Sequence, residues 1–125
     1  GFITEEEAVG LLNKASVFVF PSFAEGFGMP NVEAMACGCP VITSGIFAIP
    51  EIVGDAAHVL NKVDDPDETG KAIARVVTDG AYRELLVARG FERIKRYNWD
   101  DSARSLMSYW KGLLDHADIM NGRLL

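Results

Sequence analysis

Glu25-Gly26-Phe27-Gly28-Met29-Pro30-Asn31-Val32-Glu33 sets the architecture expected of this chain. Before it runs Val17-Phe18-Val19-Phe20, four apolar residues of β-branched and aromatic type. That is the pattern of a strand buried on both faces of a parallel sheet. After it, Ala34-Met35-Ala36-Cys37 reads as a short helix closed by Gly38, a residue suited to the left-handed position beyond a helix end. Pro30 suits the first helical turn, where its missing N–H costs nothing. The unit is strand, glycine-rich loop and helix. Its loop opens at the carboxyl end of a parallel strand, where open α/β sheets bind ligands.

The loop favours an anion. Gly26 and Gly28 have no Cβ, so the backbone can approach a ligand closely. N–H groups at the helix start, near Met29 to Val32, point into the same space with the positive end of the helix dipole. A diphosphate is the natural guest. Glu25 and Glu33 would repel phosphate if they faced it, so they make better sense as acceptors for hydroxyl groups on either side of it. A nucleotide sugar carries hydroxyls on both sides of a diphosphate.

The ordered run Glu25-Gly26-Phe27-Gly28-x-Pro30-x-x-Glu33-Ala34-Met35-Ala36-Cys37-Gly38-x-Pro40-Val41-Ile42 resembles the E-x7-E region of retaining glycosyltransferases with the GT-B fold. The nearest group is the large family of bacterial sugar transferases that includes sucrose and mannosyl transferases. The resemblance continues through Ile49-Pro50-Glu51-Ile52-Val53-Gly54-Asp55-Ala56-Ala57. It implies an α/β fold, a Rossmann-like doubly wound parallel sheet, with about three strands and five helices. Residues 1–125 would be part of the C-terminal, nucleotide-sugar-binding domain, and residues 99–118 a late helix crossing to an N-terminal domain. The acceptor-binding domain and the early, cation-bearing strands of the donor domain would lie outside this chain, so the chain by itself is expected to be inactive.

By the same resemblance, Glu25 would be catalytic, orienting donor-sugar hydroxyls beside the reacting carbon. Glu33 would accept hydrogen bonds from the ribose. Gly26 and the backbone amides of Phe27, Gly28, Met29 and Asn31 would hold sugar oxygens and the diphosphate. No metal and no cofactor is implied; the nucleotide sugar is a substrate. The implied reaction is retaining transfer of a hexose to a glycan, lipid or small-molecule acceptor, as in polysaccharide biosynthesis. The β-phosphate oxygen would take the acceptor's proton. The alternative is a non-catalytic nucleotide-sugar-binding or scaffolding module, and an epimerase or phosphorylase could share the fold. One departure stands after the strand Pro40-Val41-Ile42-Thr43. Gly45 replaces the Asp or Asn usual in the family, and Phe47-Ala48 replaces a pair of small residues.

Composition narrows the partners. The chain has 125 residues and a formal net charge of −6, which disfavours nucleic acid and anionic membranes. No Lys or Arg lies between Lys14 and Lys62, so no cation is expected near the loop. The expected partners are a nucleotide sugar and an N-terminal domain or partner subunit, with self-association through apolar surface left uncovered. No apolar run reaches the roughly eighteen residues of a membrane span. Cys37 and Cys39 lack a neighbouring histidine for zinc and read as small buried side chains in a reducing compartment. The expected location is the cytoplasm, free or peripheral at the inner membrane face.

The flanking elements follow from local signals. Gly1-Phe2-Ile3 reads as the end of a strand. Thr4 and Glu7 form a capping box for a helix ending near Lys14, whose Ala8, Leu11, Leu12 and Ala15 would cover the sheet. Pro50–Val53 suggests one helical turn, and Ala57–Leu60 a third strand in which His58 is not expected to be catalytic. Asp65, Pro66 and Glu68 start a helix with a stripe of Ala72, Ile73, Val76 and Val77. The next helix runs from Ala81 to about Tyr97, with Arg89, Arg93, Lys95 and Arg96 as a solvated face. Asn98 starts the last helix, in which Trp99, Ala103, Leu106, Trp110, Leu113 and Ala117 recur at helical spacing.

Overall fold

The computed structural model describes residues 2–120, with the side chains of Asp115 and residues 117–120 outside that description. In chain order the elements are α1 (Glu5–Lys14), β1 (Phe18–Phe20), α2 (Met29–Ala36), β2 (Val41–Ser44), α3 (Ile49–Val53), β3 (Ala57–Leu60), α4 (Pro66–Thr78), α5 (Gly80–Ile94) and α6 (Trp99–Met120). That is the expected three strands and five helices, plus the single turn α3. The chain divides into two compact units, the first ending at Lys95 and the second starting at Arg96.

The first unit is a parallel sheet in the order β1-β2-β3. Phe18 pairs with Val41, and Val41 with Ala57; Phe20 pairs with Thr43, and Thr43 with Val59. The two-residue period of the strands sends alternate side chains to opposite faces. Phe18, Val41, Ala57 and Val59 join one core with Ala34 and Met35 of α2 and Ile49 and Val53 of α3. Val19, Ile42 and Leu60 join the other with Ala72 and Val76 of α4 and Leu86 of α5. Helices therefore cover both faces, as the doubly wound reading requires. Gly90 lets α5 come close to α2, since a Cβ there would stand 3.3 Å from Met35 Cγ.

The strand buried on both faces is β2, not β1. All four residues of β2 are buried, whereas those of β1 are only half-buried, because β1 is at the edge of the described sheet. Phe2 and Ile3 are exposed and form no strand; Gly1 lies outside the described residues. The Thr4–Glu7 capping box forms in both directions. Yet α1 buries no residue fully: Leu12 and Ala15 reach the core while Leu11 stays 61% exposed. The helix lies at the margin of the sheet and covers little of it.

Asp65 caps α4 by accepting from the N–H groups of Asp67 and Glu68. Glu68 does not complete a capping box. Its carboxylate instead accepts from the N–H groups of Asn61 and Lys62 and from Asn61 Nδ2, closing the loop after β3. Val77 turns outward from the α4 stripe. Helix α5 starts at Gly80 and stops at Ile94, short of Tyr97.

The second unit carries α6 by itself. Asn98 Oδ1 accepts from the N–H of Asp100, as a helix start requires. Trp99, Leu106, Trp110 and Leu113 are all exposed. Ala117, the last residue of the expected stripe, has a side chain outside the described residues. Among the described residues no helix is long and apolar enough to cross a membrane.

Candidate functional site

The loop between β1 and α2 is held by its own polar groups. Thr43 Oγ1 donates to the Phe20 carbonyl at 3.1 Å, fixing the end of β1 to β2. Ser22 Oγ donates to the Ala24 carbonyl at 3.1 Å and reaches Glu25 Oε1 at 3.5 Å. Ser22 thereby stands beside the half-buried Glu25, a contact that no motif in the sequence signals. Gly28 has a φ of +80° and closes the loop into α2. A Cβ at residue 28 would also stand 2.9 Å from Asn31 Nδ2, so both the backbone and the packing require glycine there. Gly26 differs. Its φ is not positive, and a Cβ there would meet nothing within 4 Å.

Helix α2 starts at Met29, placing Pro30 second and Glu33 in the second turn rather than the first. Met29 and Phe27 are both partly exposed at the helix start. Asn31 is fully buried, and its N–H donates to the Gly28 carbonyl at 3.0 Å. The expectation that Asn31 lends its amide to a ligand thus meets a bond already made inside the loop. The helix closes as expected: Gly38 has a φ of +69°, and Cys39 N–H donates to the Ala34 carbonyl at 2.9 Å.

The two glutamates open into different depressions. Glu25 and Gly26 line a small one with Ala24 and Phe47. Glu33 lines a more apolar groove with Pro30, Leu12, Phe18, Ile3 and Lys14. Lys14 is distant from the loop in sequence yet borders the same groove as Glu33, so a cation does stand beside this face. At the departure from the family pattern, a Cβ on Gly45 would stand 2.9 Å from Val59 Cγ1 and 3.4 Å from the Leu60 carbonyl oxygen. Any side chain there requires the β-branched Val59 to move.

Among the described residues no three of His, Cys, Asp and Glu stand together as a metal site would need. Cys37 and Cys39 are both free, and only Cys39 is buried. Burial pushes the Cys39 thiol up, which keeps it unreactive. His58 lies away from the loop, its Nδ1 2.9 Å from Tyr82 Oη. Arg93, expected to face solvent, instead reaches α3, and Arg89 the turn just after it. Arg93 donates to the carbonyls of Ile52 and Glu51, and Arg89 to that of Asp55 while pairing with its carboxylate.

Comparison with known proteins agrees with this fold. Residues 1–93 match the family model "Glycosyl transferases group 1". The chain is 37% identical over 111 residues to an O-antigen chain mannosyltransferase B of Escherichia coli, covering 89% of this chain and 29% of that protein. It is 32% identical over 114 residues to a serotype-specific mannosyltransferase of the same organism, covering 91% and 14%. Among solved structures, a sucrose-phosphate synthase from Thermosynechococcus elongatus superposes with a TM-score of 0.81 at 30% identity, over 93% of this chain and 30% of that one. The chain spans less than a third of the length of each of these relatives.

Proposed function

This chain belongs to the group 1 glycosyl transferases, and from that membership we propose that it is part of the donor-binding domain of a retaining hexosyltransferase. The donor is a nucleoside-diphosphate sugar and the acceptor a glycan, lipid or small molecule. The proposal rests on one observation: two carboxylates flank a single glycine loop and open into separate depressions, one small and one apolar. The small depression at Glu25 suits a sugar, and the apolar groove at Glu33 suits a nucleoside. The diphosphate then lies along the loop and the start of α2.

In this arrangement Glu25 accepts hydrogen bonds from donor-sugar hydroxyls and fixes the anomeric carbon. Glu33 accepts from the ribose hydroxyls. The glycine at 26 lets the ligand come against the backbone, and the amides of Phe27, Gly28 and Met29 face the departing diphosphate. Stabilising that growing charge is the main catalytic contribution of the loop. Asn31 supports Gly28 from inside. The β-phosphate oxygen takes the acceptor's proton, so no second carboxylate is needed as in glycoside hydrolysis. Helix α6, with its uncovered Trp99, Leu106, Trp110 and Leu113, serves an N-terminal domain that carries the acceptor.

Two relatives are mannosyltransferases, which makes a nucleoside-diphosphate mannose the first donor to try. The full-length protein carrying this chain should release nucleoside diphosphate from one member of a nucleotide-sugar panel. NMR of the product should show the donor's anomeric configuration retained. An inverted product overturns the mechanism. Donor binding without release or transfer establishes the scaffolding alternative instead.

A further inference from the structure

Phe47 is the one non-glycine residue with a positive φ among the described residues, at +48°. It stands second in a turn closed by the Ile49 N–H donating to the Ile46 carbonyl at 3.1 Å. Ala48, the next residue, has a φ of −79° and a ψ of −13°. A positive φ followed by these values is the pattern in which glycine usually holds the first central position. A bulky aromatic in that position is strained. Packing of the Phe47 side chain does not offset the strain, because the residue is 76% exposed. Residues held in such conformations cluster at active sites and ligand clamps.

The place of Phe47 gives the use. Phe47 lines the same depression as Ala24, Glu25 and Gly26, so an exposed aromatic residue and a carboxylate border one opening. On the Gly26 side, a Cβ would meet no atom within 4 Å beyond the two adjoining residues. A carboxylate with an aromatic face beside it suits a pyranose. The carboxylate accepts hydroxyl hydrogen bonds, and the electron-rich ring face receives the apolar C–H bonds of one sugar face. The face a hexose presents depends on which hydroxyls are axial, so such a wall discriminates between epimers.

We propose that Phe47 is a specificity-determining residue that stacks on the pyranose of the donor. The proposal rests on the donor-site reading above and adds to it the residue that selects the sugar. It also gives the departure at Phe47 a purpose: a small residue there would relieve the turn but leave the sugar without its wall.

The test uses the full-length protein with Phe47→Asn, which accepts a left-handed backbone without supplying a ring, and Phe47→Tyr, which keeps the ring. Phe47→Asn should fold with a melting temperature equal to or above that of the parent, because the turn is relieved. Its donor KM should rise about threefold to tenfold, the range expected of one aromatic stacking contact. Its preference between two epimeric nucleotide sugars should fall by a similar factor. Inhibition by the free nucleoside diphosphate, which has no sugar, should not change. Phe47→Tyr should recover the donor KM. The proposal is overturned if Phe47→Asn keeps both donor KM and epimer preference, if only the acceptor KM moves, or if nucleoside diphosphate binding weakens as much as donor binding. A parent protein that transfers no sugar from any donor removes the donor-site reading itself, and this proposal with it.

Discussion

Arg93 donates from Nε to the main-chain carbonyl of Ile52 at 2.7 Å, tying α5 to the last turn of α3. A second arm of the same guanidinium donates to the Glu51 carbonyl. Helix ends leave carbonyls without intrahelical partners, and a forked cation satisfies two at once. The fork also explains Gly54, whose φ is +56° and where a Cβ would stand 3.1 Å from Arg93 Cζ. Arg93→Lys keeps the charge but loses the fork, and should cost about 1–2 kcal/mol, toward the lower end for charged hydrogen bonds at a half-exposed site. Urea unfolding followed by circular dichroism gives this directly. Unchanged stability in Arg93→Lys would mean that the contacts contribute nothing.

The two loop glycines should separate by experiment. Gly28→Ala meets both a left-handed backbone and Asn31 Nδ2, so it should destabilise the chain by roughly 1 kcal/mol or more. Gly26→Ala meets no atom beyond its two chain neighbours, so it should leave the unfolding midpoint almost unchanged while weakening donor binding. Calorimetric titration of the full-length protein with a nucleotide sugar, beside a thermal melt, reads both. If Gly26→Ala binds donor as well as the parent, the ligand does not approach that backbone.

His58 gives a pH dependence of definite sign. Burial first, and the nearby Arg75 second, pull its pKa below the ordinary 6.5, while Glu68 opposes them. The Arg75 guanidinium lies 3.8 Å from the centre of the Tyr82 ring, and Tyr82 in turn holds His58. A lowered histidine pKa means that the unfolded chain takes up the proton first. The stabilisation is therefore full above the unfolded value and is lost as pH falls below it. Unfolding free energy should decline as pH falls through and below about 6.5, and His58→Gln should remove that part of the slope. An identical slope in parent and variant would show that His58 is not its source.

Much of this was legible in the sequence, for reasons that particular residues illustrate. The strand–loop–helix unit was readable because Gly28, Pro30 and Gly38 each impose a local conformation that does not depend on the rest of the fold. The helix starts at Thr4 and Asp65 were readable for the same reason. What local signals cannot carry is the identity of distant partners. Glu68 has the spacing of a capping box, yet the loop at Asn61 and Lys62 competes for it and wins with three hydrogen bonds. Arg93 has the sequence context of a solvated helix end, but its partners are about forty residues earlier in the chain. Lys14 reaches the groove of Glu33 only because α1 lies along the edge of the sheet at β1. Neither the contact of Ser22 with Glu25 nor the strain at Phe47 has any signature in spacing.

On the proposed function, the two glutamates should fail in different ways in the full-length protein. Glu33 stands in the second turn of α2, exposed at the apolar groove, where a nucleoside would lie far from the bond being broken. Its hydrogen bonds to ribose should be about equally strong before and during reaction, so Glu33→Gln should mainly raise the donor KM. The loss of one charge-assisted bond corresponds to roughly 1.5–3 kcal/mol. Glu25 is half-buried in the loop, held near Ser22 and open to the depression assigned to the sugar. Positive charge develops on the sugar as the diphosphate leaves, and a carboxylate there helps most in the transition state. Glu25→Gln should therefore lower kcat more than it raises KM. Steady-state kinetics of both variants with donor as the varied substrate separates the roles. If Glu25→Gln keeps its kcat while Glu33→Gln loses it, the sugar and the nucleoside occupy the opposite depressions from those assigned. If neither variant changes either constant, the motif is structural in this chain and the binding-module alternative replaces the enzyme.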